Sequence, residues 1–287
     1  MVYNLLRRCL AWQRVRRAPI APVVIGATGG SGTRVAQTLL REAGLFMGTE
    51  DQVNEAGDAM DIEPVLDDHI NQILRETQSL DYSPSDLPAP LLASVQQDLL
   101  LAVSCFLRHA PSKFGAWGWK NPRCMFILPL INEMFDGLRF VHLVRDGRDM
   151  ATSENQNQPR KHFEAMFNEP LDPRDPSGAM RLWAKANLGT ANWGERILGE
   201  RYMRIRFEDL CATPRKGTAQ ILEFALISQE DRAKAVSMAE NLVATPKSIN
   251  RWHTLEPETA KNLTRLGQEA LRRFGYSDDV GAKTPIA

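Results

Sequence analysis

After residue 18 the apolar positions follow two alternating rhythms. Residues 20–25 (IAPVVI) form a short apolar run that ends in a glycine-rich turn, the pattern of a buried parallel strand. Val35, Leu39, Leu40 and Ala43 then recur at helical period, with Gly44 as a stop. Leu92, Val95, Leu99, Val103 and Phe106 predict a strongly amphipathic helix ended by Pro111. Residues 116–119 predict a short strand, and Phe126, Ile127, Leu130, Ile131 and Met134 a following helix. RFVHLV (139–144) and YMRIRF (202–207) read as two further strands, separated by a helix through Met180, Trp183, Asn187 and Ala191. A last helix over residues 257–274 places Leu263, Leu266, Ala270 and Phe274 on one face. Strands separated by helices imply an α/β fold with a central, mostly parallel sheet.

Two segments interrupt the rhythm. Residues 50–68 hold eight acids (Glu50, Asp51, Glu55, Asp58, Asp61, Glu63, Asp67 and Asp68) and no Lys or Arg. Residues 158–176, with Pro159, Pro170, Pro173 and Pro176, read as a surface loop or mobile lid. No composition break forces a boundary, so the expected organisation is a basic extension over 1–18, one domain over 19–276 and a tail over 277–287. The extension carries Arg7, Arg8, Arg14, Arg16 and Arg17 without an acid, and Leu5, Cys9 and Trp12 lie at helical spacing. It reads as a frayed N-terminus or a peripheral contact with an anionic membrane surface. No run of about 18 apolar residues occurs, so no conventional membrane span is expected.

Lys and Arg total 35 and Asp and Glu 35, a balance that argues against a general nucleic-acid binder. Cys9, Cys105, Cys124 and Cys211 are isolated, which points to a reducing, cytoplasmic setting. The five histidines form no metal-binding pattern, so no metal is expected. His142, in mid-strand, is expected to be a hydrogen-bonded core residue. Trp117 and Trp119 suit the core or the wall of an acceptor pocket.

The sharpest local feature is VVIGATGGSGTRV (23–35), where a strand runs through Gly26, Gly29, Gly30 and Gly32 straight into a helix. Glycines let the backbone approach a ligand, and the helix start offers unpaired N–H groups to an anion. Ser31 and Thr33 add hydroxyl donors, and Arg34 adds a positive charge. The phosphate loop of nucleoside triphosphatases needs GxxxxGK[ST], yet no lysine occurs between residues 1 and 112. GxxGxxG over 26–32 is similar to the turn of atypical short-chain dehydrogenases, which bind NAD(P). Against that alternative, the region after residue 44 lacks a second β-rich run, and Tyr82 and Tyr202 are followed four places on by Asp86 and Arg206, not lysine.

A second anion motif follows in RFVHLVRDGRDMATS (139–153). Arg145 sits at a strand tip, and Ser153 lies eight residues on, where one phosphate can be gripped by both. Arg148 and Asp149 read as a surface ion pair or a strut for the turn.

Together these motifs resemble the sulfotransferase family that uses 3′-phosphoadenosine 5′-phosphosulfate. Ser31-Gly32-Thr33 match the loop core that holds the 5′-phosphosulfate there, and Arg145 with Ser153 match the R-x7-S pair for the 3′-phosphate. Lys120-Asn121-Pro122 is similar to the family's K-x-P segment. Arg206-Phe207-Glu208-Asp209-Leu210 resembles the (R/S)YEDL segment, whose ring sits against adenine. Ser248, Arg251 and Trp252 resemble the late basic-aromatic segment that closes over the nucleotide. The resemblance covers about residues 20–255 and implies a P-loop-like three-layer fold and sulfuryl transfer without a metal. Gly29 and Gly30 join the implied nucleotide-binding residues.

The chain departs from the pattern at Gly30, where the family has a cation, at Phe207 in place of tyrosine, and at Asn121 near the usual base. Gly30 and Asn121 keep an inactive nucleotide-binding or partner-binding module among the alternatives, while Phe207 retains a stacking face. Arg34 and Lys120 are the candidates for stabilising the leaving phosphate. For the general base, the window some twenty residues after the loop offers Glu50, Asp51, Glu55 and Asp58, and Glu55 is the choice, with Asp61 and Glu63 in reserve. The acceptor is a small molecule, glycan or lipid that the sequence does not identify.

Overall fold

The computed structural model describes residues 10–16, 18, 21–111 and 114–276; the expected tail over 277–287 and most of the basic extension lie outside them. Four strands, β1 (Val23–Ala27), β2 (Gly118–Lys120), β3 (Arg139–Val144) and β4 (Tyr202–Arg206), form one sheet. Their order is β2-β1-β3-β4 and every pair is parallel. The helices are α1 (Thr33–Glu42), α2 (Glu63–Thr77), α3 (Ala89–Phe106), α4 (Leu128–Met134), α5 (Gly147–Ala151), α6 (Asn157–Phe167), α7 (Pro176–Trp193), α8 (Phe207–Ala212), α9 (Pro214–Phe224), α10 (Gln229–Leu242), α11 (Pro257–Leu266) and α12 (Gln268–Arg273).

β1 is apolar throughout because helices cover both its faces. Val24 points with Trp119 and Phe140 into a core built from α2, α3, α4 and α7, while Val23, Ile25 and Ala27 point with Val141 and Leu143 against α1, α9 and α10. Their alternation is the two-residue period of a strand. Val144, at the tip of β3, joins a third cluster under α5, α7, α11 and α12. The strand order reverses at β1, whose neighbours are the later strands β2 and β3. In open α/β sheets that reversal opens a crevice at the carboxyl ends of the strands.

The expected strands over 116–119 and 202–207 form at 118–120 and 202–206, and Trp117 bridges in parallel to Phe46 at the outer edge of β2. Three expectations need larger corrections. Residues 158–167 are helical, not loop: Pro159 lies in the first turn of α6, where no intrahelical N–H is needed, and Phe163, Ala165 and Met166 are buried. The expected single helix over 257–274 breaks at Gly267, where a β-carbon would lie 1.9 Å from Met180 Cε. The segment Ala89–His109 does reach the length and apolarity of a membrane span by composition, with Val95, Leu99, Val103 and Phe106 buried in the core. In the helical residues 10–16, Ala11 and Val15 face inward and Trp12 is 44% exposed, so the buried face is not the one through Trp12. His142 is fully buried between Tyr202 Oη at 2.7 Å and Asn187 Oδ1 at 2.9 Å.

Candidate active site

After β1 the chain bends through residues 28–32 and enters α1. Ser31 braces this bend: its buried hydroxyl donates to the Thr28 carbonyl at 2.8 Å and is not turned to the cleft. Gly32 has φ +82°, and a β-carbon there would meet the Phe207 ring at 2.1 Å. Only glycine therefore allows both the left-handed turn and the close approach of that ring. No side chain caps α1, so its first N–H groups are offered to whatever lies in the cleft.

That cleft, of about 720 Å³, opens at the carboxyl ends of β1 and β3. Its lining includes Gly29, Gly30, Gly32, Thr33, Arg34, Glu55, Asp58, Lys120, Arg145 and Phe207, with Leu242, Ala244 and Pro246 along one edge. The structure thus brings the loop, Arg145, the K-x-P lysine and the chosen carboxylate to one site.

Arg145 faces the loop. Its Nη1 donates to Gly30 O at 3.4 Å, and Nη2 donates to Ser248 O at 2.5 Å and Ser248 Oγ at 3.0 Å. Asp149 lies 3.6 Å away, the Phe207 ring centre 5.8 Å, and Nε is buried without a partner. Ser153 is placed differently. Its hydroxyl accepts from Asn155 N–H at 3.3 Å and lines an adjoining cleft with Arg160 and Arg174. Among the described residues no hydrogen bond joins Ser153 to Arg145.

On the opposite side, Lys120 is 2% exposed and donates to Asp58 Oδ1 at 2.6 Å and Ala56 O at 2.7 Å. Burial pulls its ammonium below the usual lysine range, and the Asp58 carboxylate opposes that pull. Arg34 donates to the Glu55 carbonyl at 3.2 Å. Asn54 shapes this corner, since its Oδ1 accepts from the N–H groups of Ala56 and Asp58. The Glu55 side chain is left exposed at the mouth, while Asp58 is held by Lys120. Asn121, expected only as a missing base, caps the turn Pro122–Ile127 by accepting from Arg123 N–H at 3.1 Å.

Arg148 and Asp149 are not a surface ion pair, since both are buried; Arg148 instead braces the turn after β3. Arg148 clamps Asp146 through two hydrogen bonds of 3.0 and 2.7 Å, and its guanidinium lies 3.5 Å from the centre of the Trp252 ring. Asp149 accepts from the N–H groups of Asn250 (2.7 Å) and Trp252 (3.0 Å), and its carbonyl accepts from Arg251 at 2.6 Å. Burial pushes the Asp149 carboxyl up. Of the three late residues, then, Ser248 touches Arg145, whereas Arg251 and Trp252 anchor the segment to β3's exit, and neither lines the cleft. Trp117 and Trp119 are core residues, 1% and 0% exposed.

Residues 22–231 match the profile of the sulfotransferase family, well over half of the chain, so this protein belongs to that family. It is 26% identical over 174 residues to carbohydrate sulfotransferase 3 of Tetronarce californica, a match covering 53% of this chain and 38% of the relative. The chain thus spans well under half the length of that relative. Among solved structures, sulfotransferase STF9 from Mycobacterium avium is similar with a TM-score of 0.55 and 16% identity, over 92% of this chain and 79% of that one. The sulfotransferase domain of the Synechococcus PCC 7002 olefin synthase is similar with a TM-score of 0.52 and 17% identity, over 90% and 96%. At these identities the likeness is one of fold. Membership of the family sets aside the dinucleotide-reductase alternative.

Proposed function

We propose that this chain transfers a sulfuryl group from 3′-phosphoadenosine 5′-phosphosulfate to a hydroxyl or amine of a small-molecule, glycan or lipid acceptor. The observation that carries this reading is the single cleft with a cation at each end, Lys120 and Arg145, the glycine loop between them and Phe207 beside it. The donor supplies an activated sulfonate whose S–O bond to phosphate breaks as a bond to the acceptor forms. The N–H groups at the start of α1, with Arg34 and Lys120, neutralise the charge that grows on the leaving phosphate. Two of the three Lys120 N–H groups are committed to Asp58 and Ala56, which leaves one for a phosphate oxygen. Arg145 and Ser248 hold the 3′-phosphate, and its negative oxygen replaces the Ser248 carbonyl as the partner of the guanidinium.

Glu55 receives the acceptor's proton. Its carboxylate is exposed at the mouth beside Arg34, whereas Asp58 is engaged in orienting Lys120. Glu55→Gln is expected to lower turnover by 100-fold or more, roughly the weight of general-base catalysis, with nucleotide affinity unchanged. Asp58→Asn is expected to impair both. Calorimetry with adenosine 3′,5′-bisphosphate against NADPH, and transfer of radiolabelled sulfate to an acceptor panel, test the reading. Tight binding of NADPH alone refutes the donor assignment, and absence of transfer to every acceptor favours an inactive nucleotide-binding module.

A further inference from the structure

The peptide bond between Arg145 and Asp146 is gripped from both sides. Its carbonyl, that of Arg145, accepts from the Trp183 indole N–H at 3.0 Å. Its N–H, that of Asp146, donates to Glu208 Oε1 at 2.9 Å. Tyr276 ties the two grips together. Its hydroxyl donates to the other Glu208 oxygen, Oε2, at 2.9 Å, and its ring stands edge-on to Trp183 with centroids 6.4 Å apart. The Arg206 guanidinium covers the same ring at 4.4 Å. Trp183 and Tyr276 are buried, and Glu208 is half-buried.

An arginine side chain has many rotamers, and its aim depends on the backbone that carries it. A small rotation of the 145–146 peptide would swing the guanidinium across the cleft, and the hydrogen bonds on both sides of that peptide oppose the rotation. Glu208 also bridges this peptide to the start of α8, next to Phe207, so ring and guanidinium are held in one frame. Outer partners of this kind set the geometry of the groups that touch a ligand.

We propose that Glu208 and Tyr276 are positioning residues that hold Arg145 for the 3′-phosphate of the nucleotide. The inference rests on the reading of the cleft given above. Charged and titratable groups around Glu208 are Asp146 just before α5, Arg206 on β4, Cys211 on α8 and Tyr276 beyond α12. Burial raises the Glu208 carboxyl, and the Tyr276 hydrogen bond counters that rise. Protonating Glu208 removes the charge from both of its hydrogen bonds, so the grip weakens on acidification.

Calorimetry on the full chain with adenosine 3′,5′-bisphosphate and adenosine 5′-monophosphate tests this. Tyr276→Phe should weaken the bisphosphate by about tenfold, the scale of one hydrogen bond to a charged group, while the monophosphate changes less than about twofold. Measured against the monophosphate, whose phosphate titrates in the same range, the extra acid-side fall in bisphosphate affinity should move to higher pH in Tyr276→Phe and be reduced in Glu208→Gln. Equal losses for both nucleotides, or no loss for either, overturn the positioning role. If the unmodified protein does not prefer the bisphosphate, the assignment of Arg145 to a 3′-phosphate fails, and the inference with it; a preference that survives Tyr276→Phe intact removes the inference alone.

Discussion

Replacing His142 by glutamine should change how the protein responds to acid more than how stable it is near neutrality. Burial depresses the His142 imidazole to about 3, and His162 is likewise held at about 3. Unfolding returns both rings to water, where they protonate near 6.5. Because the folded value is the lower one, the stability these rings contribute is complete above about 6.5 and declines as pH falls towards 3. Within that window each buried ring adds a slope of about 1.4 kcal/mol per pH unit, so the pair accounts for about 2.7. Glutamine can still meet Tyr202 and Asn187 but takes up no proton. Between pH 6 and 4 the variant should therefore lose about 2.7 kcal/mol less than the parent, and a His162 variant should show the same relief. Urea denaturation at half-unit pH steps measures this, since carboxylates contribute equally to both proteins and cancel in the difference. Parallel stability–pH curves for parent and His142→Gln would refute the reasoning.

Two further perturbations test packing at the site and in the frame. Gly32→Ala places a β-carbon 2.1 Å from Phe207 at φ +82°, so a loss of about 2–4 kcal/mol is expected, and Phe207→Ala in the same chain should recover part of it in a double-mutant cycle. Gly267→Ala meets only the flexible end of Met180, so thermal unfolding should report a smaller loss, about 1–2 kcal/mol, largely relieved by Met180→Ala.

The sheet was legible because period-2 and continuous apolar runs leave few choices: residues 139–144 predict β3 to the residue, and the glycine turn marks the end of β1. α2 was hidden by its acids. Val65, Leu66, His69, Ile70, Ile73 and Leu74 keep a helical period, yet Glu63, Asp67 and Asp68 make the stretch look like solvated loop. Asp67 takes its place by bridging Arg123 at 2.5 Å and Lys161 at 2.7 Å, partners distant in sequence. At the site, the loop and Arg145 followed from motif spacing. The commitment of Asp58 to Lys120, the inward turn of Ser31 and the grip of Tyr276 did not. Each depends on a side chain's direction, which local pattern does not encode. The signal for the Glu55 corner was present in Asn54-Glu55-Ala56-Gly57, an asparagine-led turn ahead of a glycine.

Arg148 is held by its near neighbour Asp146 and by two partners from a remote stretch of chain, Trp252 across its face and Thr264 Oγ1 at 3.4 Å. Until residues 250–264 have arrived, the guanidinium lacks its Trp252 face and the exit of β3 lacks the backbone of Asn250 and Trp252 held by Asp149. The sheet can collapse early on nearby helices, but the anion site must await the last quarter of the chain, so recovery of nucleotide binding should lag recovery of secondary structure during refolding.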